Sequence, residues 1–171
     1  MELASLIRDV PDFPMKGILF RDITTLIKDA RAFHEVIDRL ADRYATEGVD
    51  VVVAIESRGF IFGAPLAYKL GAGFVPVRKS GKLPANSISE SYTLEYGSNT
   101  LEMHQDAIQP GQRVLVVDDL LATGGSARAT INLAERLGGK VVGVAFLIEL
   151  KALQGCGKLE GYDVLALIEY D

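Results

Sequence analysis

Two adjacent aspartates, Asp118 and Asp119, follow an apolar run at residues 114–117. Neighbouring carboxylates repel each other, so a purely structural reason for the pair is weak. Carboxylates accept hydrogen bonds from hydroxyl groups, such as the two cis hydroxyls of a ribose, and they also hold hydrated divalent cations. The pair therefore predicts a site for a sugar diol, a metal ion or both.

A turn of small residues comes directly after the aspartates, Ala122-Thr123-Gly124-Gly125-Ser126. Two glycines allow backbone N–H groups to converge, the hydroxyls add donors, and a helix that begins here favours an anion through its dipole. In isolation the same residues would suit an ordinary turn with Ser126 as an N-cap. Beside the aspartates they predict a phosphate cradle, so the whole stretch predicts a site for ribose 5-phosphate.

The elements that position this stretch alternate between strands and helices. A helix is predicted from Asp29 to about Thr46, because apolar residues recur on one face at helical spacing. The β-branched run at 49–55 predicts a buried parallel strand. Alternation of this kind predicts an α/β fold, with an open, mainly parallel twisted sheet flanked by helices. The other predicted elements are a helix ending at about Leu70, strands at 74–77, 114–118, 141–149 and 164–170, and a helix at 126–137.

The pattern changes between residues 85 and 106. Tyr92, Leu94 and Tyr96 alternate with polar neighbours, and a second alternating run follows. We expect a β-hairpin with its turn at Gly97-Ser98-Asn99, inserted into the α/β pattern. With the polar segment before it, the hairpin predicts a flexible lid over about 80–106.

Composition places limits on the function. A length of 171 residues predicts one domain over 1–171. The net charge of −5 argues against binding to nucleic acid, and we expect no membrane binding either. No apolar run approaches the roughly 18 residues needed to span a bilayer. The single cysteine, Cys156, excludes an internal disulfide and is expected to be a bystander rather than a nucleophile. We expect a cytoplasmic protein.

Four stretches in order carry a family resemblance: GILFRDIT at 17–24, ESRGF at 56–60, RKSGKLP with SYTLEYG across 78–97, and VVDDLLATGGS at 116–126. The last resembles the phosphoribosyl diphosphate signature of the type I phosphoribosyltransferases. The first and third are more specific, and with them the whole chain resembles the branch of that family that uses adenine.

The resemblance implies a role for each predicted site residue. The 5-phosphate and ribose would be held by 118–119 and 122–126, and Mg²⁺ would be held mainly by substrate oxygens, with Asp118 and Asp119 reaching it through water. It also implies a cis peptide at Glu56–Ser57 and an amino-terminal hood over about 1–28. Diphosphate contacts would come from Glu56, Ser57, Arg58, Gly59, Arg78, Lys79, Lys82 and Tyr96; catalysis from Glu95 and Arg58; and base contacts from Leu19, Phe20, Arg21 and Leu120.

The activity implied is the conversion of adenine and phosphoribosyl diphosphate into AMP and diphosphate by a magnesium-dependent homodimer. Two alternatives remain open from the sequence. One is a sister transferase for hypoxanthine or xanthine, and the other is a non-catalytic regulator that senses phosphoribosyl diphosphate.

Overall fold

A computed structural model describes residues 1–94 and 96–171. Its backbone contacts divide the chain into two compact units, residues 1–39 and 40–171, with the boundary inside helix α2 (Ala30–Tyr44). The single domain over 1–171, with a hood at about 1–28 and a flexible lid at about 80–106, stays a prediction.

The first unit contains a two-stranded antiparallel sheet that the sequence pattern did not predict. Strand β1 (Arg8–Pro11) pairs with β2 (Leu19–Asp22), and a single helical turn, α1 (Thr24–Ile27), follows. An ion pair between Arg8 and Asp22 links the two strands. Neither strand alternates between apolar and polar residues, since β1 reads RDVP and β2 reads LFRD, so the sequence pattern carries no strand signal there.

The second unit is built on a seven-stranded sheet of order β5-β6-β4-β3-β7-β8-β9. Strands β4, β3, β7, β8 and β9 are parallel, and β6 runs antiparallel to both β4 and β5. Helices α3 (Arg58–Leu70) and α4 (Gly125–Arg136) connect parallel strands, so the predicted fold class is confirmed. The strands are β3 (Val51–Ile55), β4 (Gly73–Lys79), β5 (Ser87–Thr93), β6 (Ser98–His104), β7 (Arg113–Leu121), β8 (Lys140–Leu150) and β9 (Val164–Tyr170).

Continuous burial explains why the central strands read as unbroken apolar runs. Every residue of β3 is buried, as a parallel strand covered on both faces requires. Helix α3 approaches this strand closely at Gly63, where a Cβ atom would lie 2.6 Å from the Cβ of Ala54. The helix ends at Gly71, whose left-handed backbone (φ +67°) is typical of a C-cap.

The predicted hairpin is confirmed, but its predicted turn is wrong. Strand β5 ends at Thr93 and β6 begins at Ser98, which pairs directly with Thr93. The Leu94 N–H donates to the Gly97 carbonyl at 2.9 Å, and Gly97 supplies the positive φ (+88°) that closes the turn. Since Gly97 ends the turn rather than beginning it, Ser98 and Asn99 are ladder residues, and Tyr96 is 87% exposed instead of lying on an apolar face.

Strand β7 is longer than predicted. It runs to Leu121, so Asp119 lies within the strand together with Asp118 and not after it. The reason is the length of β8, which keeps pairing past the aspartates through Leu120↔Ile148.

Candidate active site

Two strand–loop–helix units meet at one edge of the sheet. Strands β3 and β7 are parallel neighbours, and each leads through a short loop into a helix, α3 and α4 respectively. The chain continues from β3 to β4 on one side, while β7 lies on the other side. The carboxyl ends of strands at such a change of direction are where open α/β sheets bind ligands.

The loop at 122–126 forms the first half of the site, and it contains no charged side chain. It lines a cavity of about 190 Å³ together with Tyr92, Leu120 and the end of β7. The loop leads into the first turn of α4, where backbone N–H groups have no partner within the helix and the helix dipole is positive. These features can hold a phosphate group with backbone donors alone.

Close packing explains the two glycines of this loop. Gly124 has a φ of +88°, and a Cβ atom there would lie 2.5 Å from the Gly155 carbonyl oxygen. A Cβ atom at Gly125 would lie 2.8 Å from the ring of Tyr92 in β5. A side chain at either position would push the loop away from its neighbours, so packing requires both glycines, and the positive φ of Gly124 also favours glycine there.

The aspartate pair lies between this loop and the second half of the site. Asp119 is 6% exposed, and its N–H donates to Asp118 Oδ1 at 2.8 Å. Arg58 Nε donates to Asp119 Oδ2 at 2.5 Å. Burial and the neighbouring charge of Asp119 raise the pKa of Asp118 well above its ordinary value. The two carboxyl groups therefore lie side by side in a partly buried position, and the guanidinium of Arg58 pairs with one of them.

Residues 56–59 form the second loop and the start of α3. The Glu56–Ser57 peptide is cis, so that prediction is confirmed. A Cβ atom at Gly59 would lie 3.0 Å from Asp118 Oδ1, which shows how closely this segment approaches β7. Burial opposes the charge of Arg58, but the Asp119 carboxylate raises the pKa of Arg58 above its ordinary value. The guanidinium is therefore held cationic beside the aspartates.

The carboxylate of Glu56 contacts the predicted cations of the diphosphate site. It accepts hydrogen bonds from the Lys79 N–H at 2.6 Å and from Lys82 Nζ at 3.0 Å, and Arg78 Nη2 lies 3.6 Å away. Burial opposes its charge, but these hydrogen bonds outweigh burial and lower the pKa of Glu56. Glu56 thus organises the cations, and any contact it makes with diphosphate is expected through its backbone.

Seven of the predicted residues line a single cavity of about 280 Å³. This cavity adjoins the one lined by the loop at 122–126, because Tyr92 and Ser126 line both cavities. The predicted residues are Glu56, Ser57, Arg58, Lys79, Asp118, Asp119 and Ser126.

Three of the predicted base-binding residues, Leu19, Phe20 and Arg21, lie on β2 in the first unit. Phe20 packs edge-on against Phe13, with ring centroids 5.1 Å apart, and both line a cavity of about 260 Å³. Arg21 Nη1 is 2.5 Å from Asp9 Oδ1, and Leu19 is half exposed. An aromatic ring beside a cavity is suited to stacking on a planar base.

Glu95 lies outside the described residues. Cys156 donates its thiol to Glu149 Oε1 at 3.1 Å, and partial burial together with this contact raises the pKa of Cys156 to about 11. A thiol with this pKa stays protonated near neutral pH, which agrees with a bystander role.

Sequence reasoning missed four residues that line the cavity of about 280 Å³: Ile55, Tyr92, Asn99 and Leu101. The alternating pattern places Tyr92 only on the apolar face of the hairpin. It places Asn99 in the turn, whereas the Asn99 amide approaches the Tyr92 hydroxyl at 3.5 Å. The signal was the alternation of the hairpin, but the register was needed to show which residues face the cavity.

A family model described as the phosphoribosyl transferase domain matches residues 24–164. The chain therefore belongs to the phosphoribosyltransferase family.

Individual relatives narrow the assignment within that family. The chain is 59% identical to the adenine phosphoribosyltransferase of Thermotoga neapolitana over 99% of this chain and 100% of the relative. Its structure is similar to that of the adenine phosphoribosyltransferase from Thermoanaerobacter pseudethanolicus, with a TM-score of 0.96, 55% identity and coverage of 99% and 98% of the two chains. The Saccharomyces cerevisiae enzyme, solved with adenine and an imino-altritol bisphosphate, gives a TM-score of 0.91 at 41% identity over 97% and 96%. The predicted membership in the adenine branch is confirmed.

Within residues 1–94 and 96–171, no helix is long and apolar enough to cross a membrane.

Proposed function

We propose that this protein transfers the 5-phosphoribosyl group of phosphoribosyl diphosphate to adenine, with AMP and diphosphate as products. The observation that carries the proposal is the pair of adjoining cavities at the ends of β3 and β7. One offers an uncharged backbone cradle for a phosphate, and the other offers Arg58 and Lys79 beside two carboxylates. This arrangement suits one substrate with a phosphate at one end, a diol in the middle and a diphosphate at the other end.

The 5-phosphate would bind the backbone donors of 123–126 and the hydroxyls of Thr123 and Ser126. The ribose hydroxyls would donate to Asp118 and Asp119. Because both ends of the sugar are held, the anomeric carbon is fixed in position for attack, and this positioning lowers the entropic part of the barrier.

The diphosphate would be stabilised as it leaves by Arg58, Arg78, Lys79 and Lys82, with donors from Ser57, Gly59 and Tyr96. Clustered cations on a chain of net charge −5 focus a polyanion into one cleft. Arg58 is paired with Asp119, which supports this role because its charge would already lie beside the ribose.

The chemistry of the donor set fits Mg²⁺. Asp118 and Asp119 offer hard carboxylate oxygens, the type that Mg²⁺ prefers. Across the described part of the chain, His, Cys, Asp and Glu residues do not gather in groups of three that could hold a metal, so the ion would be held mainly by substrate oxygens and water. When bound, Mg²⁺ neutralises charge on the diphosphate.

In the reaction, a ring nitrogen of adenine forms a bond to the anomeric carbon while the bond to the diphosphate oxygen breaks. The transition state carries oxocarbenium character, which the surrounding carboxylates stabilise. The base would be held by Leu19, Phe20, Arg21 and Leu120, and Glu95 would accept the proton that the attacking ring nitrogen loses. The lid at 80–106 would exclude water, which would otherwise hydrolyse the activated sugar. A homodimer in the cytoplasm remains our prediction.

The proposal is tested by measuring diphosphate release from phosphoribosyl diphosphate with adenine, hypoxanthine, guanine and xanthine. If backbone groups near Leu19 and Arg21 hydrogen-bond adenine, on hypoxanthine their donors would face donors and their acceptors would face acceptors. A site of this type discriminates between the two bases by about 10⁴-fold. We expect kcat/KM for adenine to exceed the others by that order. Comparable turnover of hypoxanthine would indicate the sister transferase, and binding of phosphoribosyl diphosphate without turnover of any base would indicate the regulator.

A further inference from the structure

The short 3₁₀ segment Gly155–Leu159 contacts the loop at 122–126, which we term the phosphate loop because of its proposed role. Gly155 is buried, whereas Gly157 in the same segment is exposed. Leu159 at the end of the segment is 1% exposed and belongs to the hydrophobic core. One end of the segment is therefore fixed in the core, and Gly155 at the other end faces the loop.

Gly155 and the phosphate loop interlock through their backbones. The carbonyl oxygen of Gly155 occupies the space that a Cβ atom at Gly124 would need, at 2.5 Å. In return, a Cβ atom at Gly155 would overlap the carbonyl oxygen of Ala122 and lie 2.9 Å from Leu121 Cδ1. Each backbone fills the space left by the absent side chain of the other.

We infer that Gly155 is a positioning residue for the 5-phosphate cradle, acting through the backbone of 122–124. This inference rests on the proposed function, because it assigns the phosphate to that loop. The cradle binds with backbone N–H groups, so its affinity depends on where the backbone lies. A backbone carbonyl cannot rotate away as a flexible side chain can, so a methyl group at Gly155 displaces either the loop or the segment behind it.

The test compares Gly155→Ala with Gly157→Ala. Gly157 is a matched control, because it lies in the same segment and a Cβ atom there would meet nothing within 4 Å. We expect Gly155→Ala to raise KM for phosphoribosyl diphosphate by about tenfold or more, with kcat and KM for adenine changed less than about threefold. Gly157→Ala should leave all three values unchanged.

A merely structural role is separated by two further readouts, the melting temperature and the binding of ribose 5-phosphate by calorimetry. Weakened ribose 5-phosphate binding in a folded Gly155→Ala protein supports the inference. A lower melting temperature with unchanged KM and unchanged binding would overturn it. If the wild type binds ribose 5-phosphate but turns over no base, the proposed function fails while this inference stands.

A measurement on the wild type covers the case in which Gly155→Ala does not fold. Saturation with ribose 5-phosphate should shift the amide resonances of Gly155 and Cys156, because Gly155 contacts the cradle, and should leave that of Gly111, which precedes the opposite end of β7, in place. Unshifted resonances at Gly155 and Cys156 would contradict the inference.

Discussion

The loop at 122–126, which we propose holds the 5-phosphate, carries no charged side chain, whereas the cavity beside it, which we propose holds the diphosphate, is lined by Arg58, Lys79 and two aspartates. The loop is held by glycine backbones packed against Gly155 and Tyr92. In and beside the other cavity, carboxylates hold cations, since Asp119 binds Arg58 and Glu56 binds Lys82. One half of the site is fixed by packing and the other by ion pairs.

This difference matches what happens to each end of the substrate. The 5-phosphate is unchanged by the reaction, so a rigid cradle that needs no rearrangement suits it. The diphosphate leaves, and cations that are already paired within the protein can return to their carboxylates when it departs. We therefore expect substitutions in the two halves to have different consequences.

The largest effect is expected from Gly124→Ala. The new methyl group would meet the Gly155 carbonyl, and the residue would have to adopt a φ of +88°. We expect kcat/KM for phosphoribosyl diphosphate to fall by about 100-fold or more, because the cradle itself moves. Steady-state kinetics measure this.

Gly161→Ala is the matched control for backbone strain. Gly161 has the same φ of +88°, but a Cβ atom there would meet nothing within 4 Å. We expect it to lose about 1 kcal/mol of stability with unchanged kinetics. Equal kinetic losses in the two variants would show that the cradle is not specifically sensitive to packing.

Asp119→Asn should have the next largest effect. It removes the buried negative charge that orients Arg58, and a charge-assisted hydrogen bond is worth about 1.5–3 kcal/mol. We expect kcat/KM to fall by about 10- to 100-fold. Asp163→Asn breaks an exposed pair of the same type, with Arg43 at 2.5 Å, and should change kcat/KM by less than about twofold. Normal activity in Asp119→Asn would remove both the diol and the Arg58 assignments.

Lys82→Gln should have a small effect. The Lys82 side chain is 47% exposed, so solvent screens its charge, and exposed pairs contribute about 1 kcal/mol or less. We expect KM for phosphoribosyl diphosphate to rise by about three- to fivefold. Lys140→Gln, at the amino end of β8, serves as the control with no expected change. If Lys82→Gln lowered kcat/KM as much as Asp119→Asn does, individual cations would contribute more than their pairing with carboxylates.

The smallest effect concerns stability and pH. The pKa of Asp118 is raised in the folded protein, so folding favours its protonated form. The free energy of unfolding therefore falls as pH rises from the unfolded pKa, about 3.9, through the raised folded value. Asp118→Asn should be more stable than the wild type at neutral pH, and the difference should vanish toward about pH 4. Denaturant titrations across this range measure it, and a difference independent of pH would contradict the assignment.

The sequence was sufficient to predict the parallel sheet, because strands buried on both faces read as continuous apolar runs such as 51–55. It also led to seven of the residues that line the cavity proposed for the diphosphate, through the aspartate pair, the small-residue turn and the family resemblance. It could not predict the hairpin register, because Gly97 suits either end of a turn. The contact of Gly155 with Gly124 was equally hidden, since about thirty residues separate the two glycines and neither has a side chain to form a pattern.

The claim that the two halves bind by different means is tested most directly by binding each half of the substrate to the same two variants. Calorimetry would measure ribose 5-phosphate and magnesium diphosphate with Gly124→Ala and with Arg58→Gln. We expect a crossed result: Gly124→Ala weakens ribose 5-phosphate by about tenfold or more and diphosphate by less than about twofold, and Arg58→Gln does the reverse. If each variant weakens both ligands equally, the two halves are not independent and the account is contradicted.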